Sequence, residues 1–245
     1  MLVTTPAIVL RTIKYGEKKL IVDLFSRSLG RLSFVVSVPK SPHAKLKKQY
    51  FQPLTLLTVE FDYRPQAQLQ KMNDASLLVP LSMLFAEPSK LSICLFLSEF
   101  LYHALRSEQQ DEPMFDYIST SIQWLEGRDS DYANFHLVFL MHLSRFLGFY
   151  PNLDYREDRQ PTVYFDLRSA SFCGAPPVHR DFLMPEEAGM LRLMMRMDYS
   201  TMHLFKMNRQ QRYRCIEVAL QFYRLHLPDF PDLRSLDVLR DLWNT

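Results

Sequence analysis

The stretch that decides the fold is Ala7–Val38, AIVLRTIKYGEKKLIVDLFSRSLGRLSFVVSV. Apolar and polar residues alternate along much of it, and many of the apolar ones are β-branched or aromatic, which is typical of β-strands. Two glycine-containing segments, Tyr15-Gly16-Glu17 and Ser28-Leu29-Gly30, predict turns, because glycine readily adopts a positive φ. The stretch therefore predicts three strands, over Ala7–Lys14, Lys18–Ser26 and Arg31–Val38.

Two further strands are predicted over Leu54–Asp62 and Gln66–Met72, the second exposing Gln66, Gln68 and Gln70 on one side. Five short strands near the start of the chain, without a long helix among them, favour a small closed barrel. The five-stranded oligonucleotide-binding (OB) barrel is the preferred prediction. An SH3-like barrel is the alternative, which strand spacing alone does not exclude.

From Pro80 onward the apolar residues recur with helical spacing. The predicted helices span Ser89–Arg106, Glu112–Leu125, Asp131–Leu147, Pro185–Met197, Asn208–Leu225 and a short segment from Ser235. Between them, residues 152–184 are irregular, with short strands possible at Thr162–Asp166 and Ser171–Cys173. The sequence thus predicts an α+β protein: an OB-fold domain at 1–79 and a mostly α-helical domain at 80–245 with an irregular insertion at about 152–184.

Charge is distributed unevenly along the 245 residues. Residues 1–50 carry ten Lys or Arg and two acids, a net charge of +8, whereas the whole chain carries +2. A basic module on a nearly neutral protein is typical of polyanion binding. The alternative is a positive face that is merely solvated.

The residues expected to contact DNA are basic and lie in the predicted turns, the strand ends and the lysine-rich loop after the third strand. They are Lys14, Lys18, Lys19, Arg31, Lys40, Lys45, Lys47 and Lys48. Lysines neutralise phosphates without reading sequence, so we expect binding that is not sequence-specific. Tyr50 and Phe51 are candidates for base stacking, with packing against the barrel core as the alternative. Arg11 and Arg27 are not included among the residues expected to contact DNA, because arginines on strands can instead pair with Asp23 or Glu60.

A second candidate site lies on the helix after Asn208. Arg209 and Arg212 continue an apolar stripe formed by Ile216, Leu220 and Tyr223. Guanidinium groups beside an apolar stripe suit an acidic peptide that ends in a hydrophobic residue. The alternative is an internal ion pair with a helical acid such as Glu99 or Glu187.

Several classes of protein are disfavoured. No apolar run of about 18 residues predicts a membrane span, and the N-terminal residues lack the pattern of a signal peptide. The three cysteines, Cys94, Cys173 and Cys215, are scattered, which fits a reducing cytosol. Neither a nucleophile motif nor a glycine-rich phosphate loop is present, so we expect no catalysis and no cofactor.

Motifs along the whole chain resemble the RecO family of recombination mediators. In the N-terminal part they are the Ala7–Leu10 strand, Tyr15-Gly16-Glu17, Leu20–Ser26 leading to Leu29-Gly30-Arg31, the Lys40–Lys48 loop and Phe51-Gln52-Pro53. Farther on, Leu147–Leu153 (LGFYPNL) resembles the Leu-Gly-Phe-x-Pro-x-Leu signature of that family, and Leu233–Leu239 resembles its C-terminal segment.

This resemblance implies a non-enzymatic DNA-binding protein with an OB barrel and a helical domain. Such proteins bind single- and double-stranded DNA and anneal complementary strands. With RecR they load the RecA recombinase onto DNA coated by single-strand-binding protein, whose acidic tail they contact. The resemblance therefore implies a cytoplasmic protein, associated with the nucleoid when acting on DNA.

One feature departs from that family. Many members carry a zinc module of two cysteine pairs after the Leu-Gly-Phe-x-Pro signature, but residues 154–179 here contain only Cys173 and His179. Structural zinc needs four such ligands, so we predict no metal. Packing through Tyr155, Tyr164, Phe165 and Phe172 is expected to hold this segment instead.

Two other functions remain open at this stage. The chain could be a protein-only interaction scaffold whose basic barrel contacts acidic proteins, or a nucleic-acid enzyme with an unrecognised site. DNA binding that weakens steeply with salt separates the first reading from the scaffold. Turnover of a nucleic acid by the pure protein would favour the enzyme.

Overall fold

The computed structural model describes residues 1–38, 46–106, 109–153 and 163–242. The chain forms two compact units, Met1–Gly127 with Asp232–Thr245, and Arg128–Pro231. Within the described residues, no helix combines the length and the hydrophobicity needed to cross a bilayer.

The first unit is built on a closed five-stranded barrel with the strand order β1-β2-β3-β5-β4. Its strands are β1 (Leu2–Tyr15), β2 (Lys19–Ser26), β3 (Gly30–Ser37), β4 (Leu56–Asp62) and β5 (Gln70–Leu77). The long strand β1 pairs antiparallel with both β2 and β4, and β3 closes the barrel by pairing in parallel with β5. This arrangement confirms the predicted OB barrel over the SH3-like alternative.

The apolar residues that alternate along the strands point inward and form the barrel core, as the sequence predicts for β2. Leu20, Val22 and Leu24 are all buried in one apolar cluster, in which the rings of Phe34 and Phe61 meet edge to face with centroids 4.8 Å apart. Phe25, on the opposite face of β2, is buried as well, because helices cover part of the barrel surface.

The prediction for the fifth strand is wrong in two respects. The strand begins at Gln70 rather than Gln66, and the side chain of Gln70 is buried rather than exposed. Its amide accepts a hydrogen bond from the Arg64 N–H and donates to the carbonyl oxygens of Arg64 and Ala67, at 2.8 to 3.0 Å. The amide thereby satisfies backbone groups of the β4–β5 loop, which explains why a polar residue is buried here.

Four helices belong to the same unit as the barrel: α1 (Ser82–Ala86), α2 (Pro88–Ala104), α3 (Glu112–Glu126) and α7 (Ser235–Leu242). The Glu126 carboxylate accepts the N–H groups of Met83 and Leu84 at the start of α1, at 2.9 and 2.7 Å. In β1 the carbonyl oxygen of Leu10 accepts a bond from the Ser98 hydroxyl of α2 at 2.5 Å. The compact unit that contains the barrel therefore also includes these helices, and the domain division into 1–79 and 80–245 stays a prediction.

The second unit consists of α4 (Phe135–Phe146), α5 (Pro185–Arg196), α6 (Arg209–His226) and a small sheet. The capping box predicted at the start of α6 is present, with reciprocal bonds between Asn208 and Gln211. On α6, the buried Tyr223 donates its hydroxyl to the Leu140 carbonyl oxygen at 2.7 Å, which ties α6 to α4.

The small sheet has the order β7-β6-β8, with β6 at Tyr164–Asp166, β7 at Ser171–Cys173 and β8 at Phe182–Leu183. The first two strands confirm the predicted pair, and β8 was not predicted. Phe165 and Phe172 pack with ring centroids 4.8 Å apart, and Tyr164 packs against Phe182 at 5.9 Å. Three of the four predicted packing residues thus contribute, and Tyr155 lies outside the described residues.

Candidate nucleic-acid interface

The outer surface of β1, β2 and β3, here called the β1–β3 face, combines exposed apolar residues with cations. Strand register aligns Tyr15 with Lys19 in one row, and Ile13 with Ile21 and Val35 in the next. Tyr15 is 56% exposed and Ile13 39% exposed, whereas Ile21 and Val35 are half-buried. Proteins that bind single-stranded nucleic acid commonly combine an exposed aromatic ring, which stacks on a base, with lysines, which bind the backbone.

Five of the predicted DNA-contacting lysines lie in the described part of the chain, and all five are exposed: Lys14, Lys18, Lys19, Lys47 and Lys48. None of them forms an ion pair with another described residue. Lys40 and Lys45 lie outside the described residues.

Two hydrogen bonds, one between backbone groups and one from a side chain, bring these lysines to the same end of the barrel. The Val38 N–H donates to the Lys18 carbonyl oxygen at 2.8 Å, so the chain leaving β3 passes the β1–β2 turn. The Thr12 hydroxyl donates to the Phe51 carbonyl oxygen at 2.8 Å, which holds the 3-10 helix Lys48–Phe51 against β1. Lysines 33 positions apart in sequence therefore belong to one end of the fold.

The predicted stacking residues occupy different positions from those expected. Phe51 is 3% exposed and belongs to the barrel core, so the prediction that it stacks on a base is wrong. Tyr50 is half-buried and packs against the same cluster. Both rings close one end of the barrel, which is the alternative that the sequence left open. Tyr15 is an exposed aromatic residue near these lysines. Its polar neighbours and the alternation of β1 are the sequence signals that could have indicated its exposure.

Lys71 extends the basic surface and was missed in the sequence. Because β5 runs parallel to β3, Lys71 lies beside Val35 in register, and its side chain is exposed. Lys71 reaches this position only because the parallel pairing of β3 with β5 closes the barrel. The spacing of residues along the sequence therefore does not predict its contribution to the basic surface.

The arginines of the barrel differ from the lysines in having partners. Arg27 lies 2.7 Å from the Glu112 carboxylate and 2.9 Å from that of Asp116, both on α3, and not beside the predicted Asp23 or Glu60. The hydrogen bond from Arg27 lowers the pKa of Asp116. Arg31, predicted to contact DNA, donates to the Tyr102 carbonyl oxygen at 2.5 Å and lies over the Tyr102 ring.

The predicted peptide site on α6 is contradicted by burial. Ile216 and Leu220 lie in the interior of the second unit, with 0% and 1% of their surfaces exposed. The guanidinium group of Arg212 donates to the Asn134 side chain at 3.0 Å and to the Met207 carbonyl oxygen at 3.1 Å, whereas Arg209 is exposed. The apolar stripe packs against the unit rather than facing solvent, because amphipathic helices bury that side.

Two neighbouring cavities in the same unit combine cationic and apolar linings. One, of about 240 Å³, is lined by residues that include Arg212, Lys206, His203 and Asp131. The other, of about 270 Å³, is lined by Met190, Leu193, Phe205, Lys206, Met207, Gln211 and Cys215. Both cavities border the segment Phe205–Met207, so a bound chain could contact a charged and an apolar surface together.

The described residues offer little for metal binding or nucleophilic chemistry. Cys173 lies on β7, and His179 lies 3.4 Å from the Asp166 carboxylate, but no group of three possible ligands occurs among the residues described. Burial raises the pKa of Cys94 to about 12 and that of Cys215 to about 11. Both thiols are therefore protonated near neutral pH, the opposite of an activated cysteine.

Comparisons with known proteins cover the whole chain. Family models described as Recombination protein O N terminal and Recombination protein O C terminal match residues 1–81 and 86–237. DNA repair protein RecO of Phocaeicola vulgatus is 49% identical over 245 residues, and that of Bacteroides fragilis is 48% identical. The protein of the same name from Porphyromonas gingivalis is 31% identical over 246 residues. Each of these matches spans 100% of both chains.

Proposed function

This chain belongs to the RecO family of DNA repair proteins, and from that premise we propose that its barrel binds single- and double-stranded DNA. The observation that carries the proposal is the group of exposed lysines without described ion-pair partners around the β1–β2 turn and the start of the 3-10 helix, near the exposed Tyr15 and Ile13 of the β1–β3 face. The lysines bind phosphates, and the exposed ring stacks on an unpaired base. Duplex DNA uses the lysines alone, because its bases are already stacked.

Charge neutralisation also suits a role in annealing. Two complementary strands repel each other through their phosphates, and a surface that neutralises phosphates on one strand lowers the cost of bringing the second strand close. Binding that reads no sequence serves this purpose, since the protein then accepts any pair of complementary strands. In this proposal the protein acts without catalysis, together with RecR, to help load the RecA recombinase onto coated DNA.

The acidic tail of the single-strand-binding protein is the proposed peptide partner of the second unit. The two cavities bordering Phe205–Met207 suit it better than the buried α6 stripe does. Arg212 and Lys206 complement carboxylates, while Met190, Leu193 and Phe205 offer an apolar surface for a terminal hydrophobic side chain. Loss of tail-peptide binding in Leu193→Asp, with Leu204→Asp as an exposed control outside the lining, would test this location.

The DNA proposal is tested by titrating a labelled oligothymidine and a labelled duplex at several salt concentrations. We expect the triple variant Lys14→Gln, Lys18→Gln and Lys19→Gln to bind the single strand at least about tenfold more weakly, and its salt slope to fall by about 2. A matched control replaces three exposed arginines of the second unit, Arg128, Arg180 and Arg196, with Gln.

Three binding results contradict the proposal, and a fourth result contradicts its non-enzymatic part. The first is wild-type binding by the lysine variant, and the second is an equal loss in the arginine control. The third is DNA binding that does not depend on salt, which would favour the protein-only scaffold. Cleavage or other turnover of the labelled strand would contradict the non-enzymatic role.

A further inference from the structure

Three arginines lie around Tyr102 and His103 near the end of α2, and we call them the arginine cluster: Arg11, Arg31 and Arg106. The guanidinium carbons of Arg11 and Arg31 lie 4.7 and 4.3 Å from the centroid of the Tyr102 ring. The His103 ring meets the same tyrosine edge to face, with centroids 5.0 Å apart. The ring of Tyr102 thus lies beside cations from both β1 and β3.

Two described acids near this cluster, Asp23 and Glu99, form hydrogen bonds with other groups. Asp23 is opposite Arg11 in the strand register, but it is buried and accepts a hydrogen bond from the Ser33 hydroxyl. The Glu99 carboxylate accepts the N–H groups of Arg234 and Ser235, at 3.1 and 2.7 Å, and its pKa is lowered by these bonds despite its partial burial. Within the described residues, none of the three arginines of the cluster forms an ion pair.

Arg27 shows what a neutralised arginine looks like on the same barrel, with both Glu112 and Asp116 within 3 Å. No described acid pairs with the three arginines, so no ion pair among the described residues cancels the positive charge of the cluster. The effect is visible on His103: burial lowers its pKa, and Arg11, Arg31 and Arg106 lower it further, against the opposing effect of Glu99. Glu99 and the three arginines are thus described charged groups that shift the pKa of this imidazole.

Building on the proposed function, we propose that the arginine cluster binds a phosphate of the DNA strand that crosses the β1–β3 face. Arg11 lies on the same side of β1 as Ile13 and Tyr15, four residues or roughly 13 Å from Tyr15 along the strand. A strand stacked on Tyr15 continues over Ile13 and arrives at Arg11. The cluster thus extends the interface from the lysine-rich end of the barrel to helix α2.

Guanidinium groups suit this task better than ammonium groups do. Their planar array of donors matches two phosphate oxygens at once, and stacking on an aromatic ring fixes their orientation before the ligand arrives. Arg31 is fixed most firmly, since it both lies over Tyr102 and donates to its carbonyl oxygen. We therefore expect Arg11 and the exposed Arg106 to contact the phosphate. Replacing either of them should destabilise the fold less than replacing Arg31.

The first test measures the binding of a labelled oligothymidine by Arg11→Gln and Arg106→Gln at several salt concentrations. Each variant is expected to bind several-fold more weakly and to show a salt slope smaller by about 0.7. Arg27→Gln is the matched control, because it removes the same formal charge from the same barrel, and we expect it to bind like the wild type. Thermal melting of all three shows that the comparison concerns folded proteins.

The outcomes separate this proposal from the one on which it rests. If both arginine variants keep the wild-type affinity and slope while the lysine variant loses them, the cluster binds no phosphate and the proposed function stands. If the lysine and arginine variants all bind like the wild type, both proposals are wrong. A loss in Arg27→Gln equal to that in Arg11→Gln also overturns the assignment, since it would reflect general charge.

A second measurement uses His103 in the full chain. A bound phosphate partly cancels the field of Arg11, Arg31 and Arg106, so the pKa of His103 should rise when oligothymidine saturates the protein. NMR titration of the His103 ring signals, with and without the oligonucleotide, measures this shift directly. An unchanged His103 pKa in a saturated complex would rule out a DNA phosphate at the cluster.

Discussion

The two turns at opposite ends of β2 each contain a glycine but have very different surroundings. Both place a glycine at positive φ, Gly16 at 71° and Gly30 at 67°. A β-carbon added at Gly16 would meet nothing within 4 Å, whereas one added at Gly30 would lie 2.5 Å from the Gln109 carbonyl carbon. The first turn is open and basic, and the second is packed and has its arginine neutralised by two acids.

The difference between the turns arises from residues far away in sequence. In the packed turn, Ser26 donates to the Gly30 carbonyl oxygen at 2.9 Å, and Arg27 pairs with acids 85 or more positions later on α3. In the open turn, Lys18 and Lys19 are exposed and form no ion pair with a described acid. One end of the barrel is therefore fixed by the fold, and the other end presents its charge to a ligand.

The strongest test of this comparison is alanine at each glycine. Gly30→Ala combines an unfavourable positive φ with overlap against backbone atoms, so we expect a loss of roughly 3–5 kcal/mol in the free energy of unfolding. Gly16→Ala has only the conformational penalty and should lose about 1 kcal/mol. Chemical denaturation followed by circular dichroism measures both values. Equal losses would mean that the two turns are alike after all.

Sequence reasoning found what depends on local pattern. Alternation along β2 and β3 predicts the barrel strands, and the pair Asn208 and Gln211 predicts the start of α6, because both signals lie within a few residues of the feature. The resemblance to RecO proteins, carried by short motifs such as Leu147–Leu153, is likewise confirmed by relatives over the full length.

What the sequence missed depends on contacts between distant segments. Phe51 looks exposed in a lysine-rich loop, but the 3-10 helix packs it into the barrel. Gln70 looks like a solvent-facing strand residue, but the loop turns back to use its amide. Lys71 and the Arg27 pairing depend on how β5 and α3 meet the barrel. Alternation reports which side of a strand is apolar, and it carries no information about which helix covers the other side.

The open end can be tested next through its exposed ring. Tyr15→Ala should weaken the binding of oligothymidine by about 5- to 150-fold, the loss expected for one stacked base, whereas duplex binding should change little. Tyr15→Phe keeps the ring and should bind like the wild type. Tyr50→Ala is the contrasting variant, because its half-buried ring packs on the core: it should lower the melting temperature and leave the affinity of the folded protein unchanged.

Charge reversal at the two turns should then separate binding from stability. Lys18→Glu is expected to lower DNA affinity roughly several-fold and to leave the melting temperature unchanged, because its side chain is exposed and pairs with no described acid. Arg27→Glu faces Glu112 and Asp116 and should lower the melting temperature. The comparison fails if Lys18→Glu destabilises the protein or if Arg27→Glu is the variant that loses DNA.

The smallest expected effect is the change in stability of the packed turn at low pH. The bond from Arg27 lowers the pKa of Asp116 in the folded protein, so the stability gained from the pair is present above the ordinary aspartate pKa. It is lost as pH falls through the lowered value, where Asp116 becomes protonated in the folded state too. The melting temperature of Arg27→Gln should therefore lie slightly below that of the wild type at neutral pH, and the gap should narrow below about pH 4. If the difference in melting temperature stayed constant down to pH 2, the effect of Arg27 would come from its packing rather than from its charge. The ion pair with Asp116 would then contribute nothing to the stability of the packed turn.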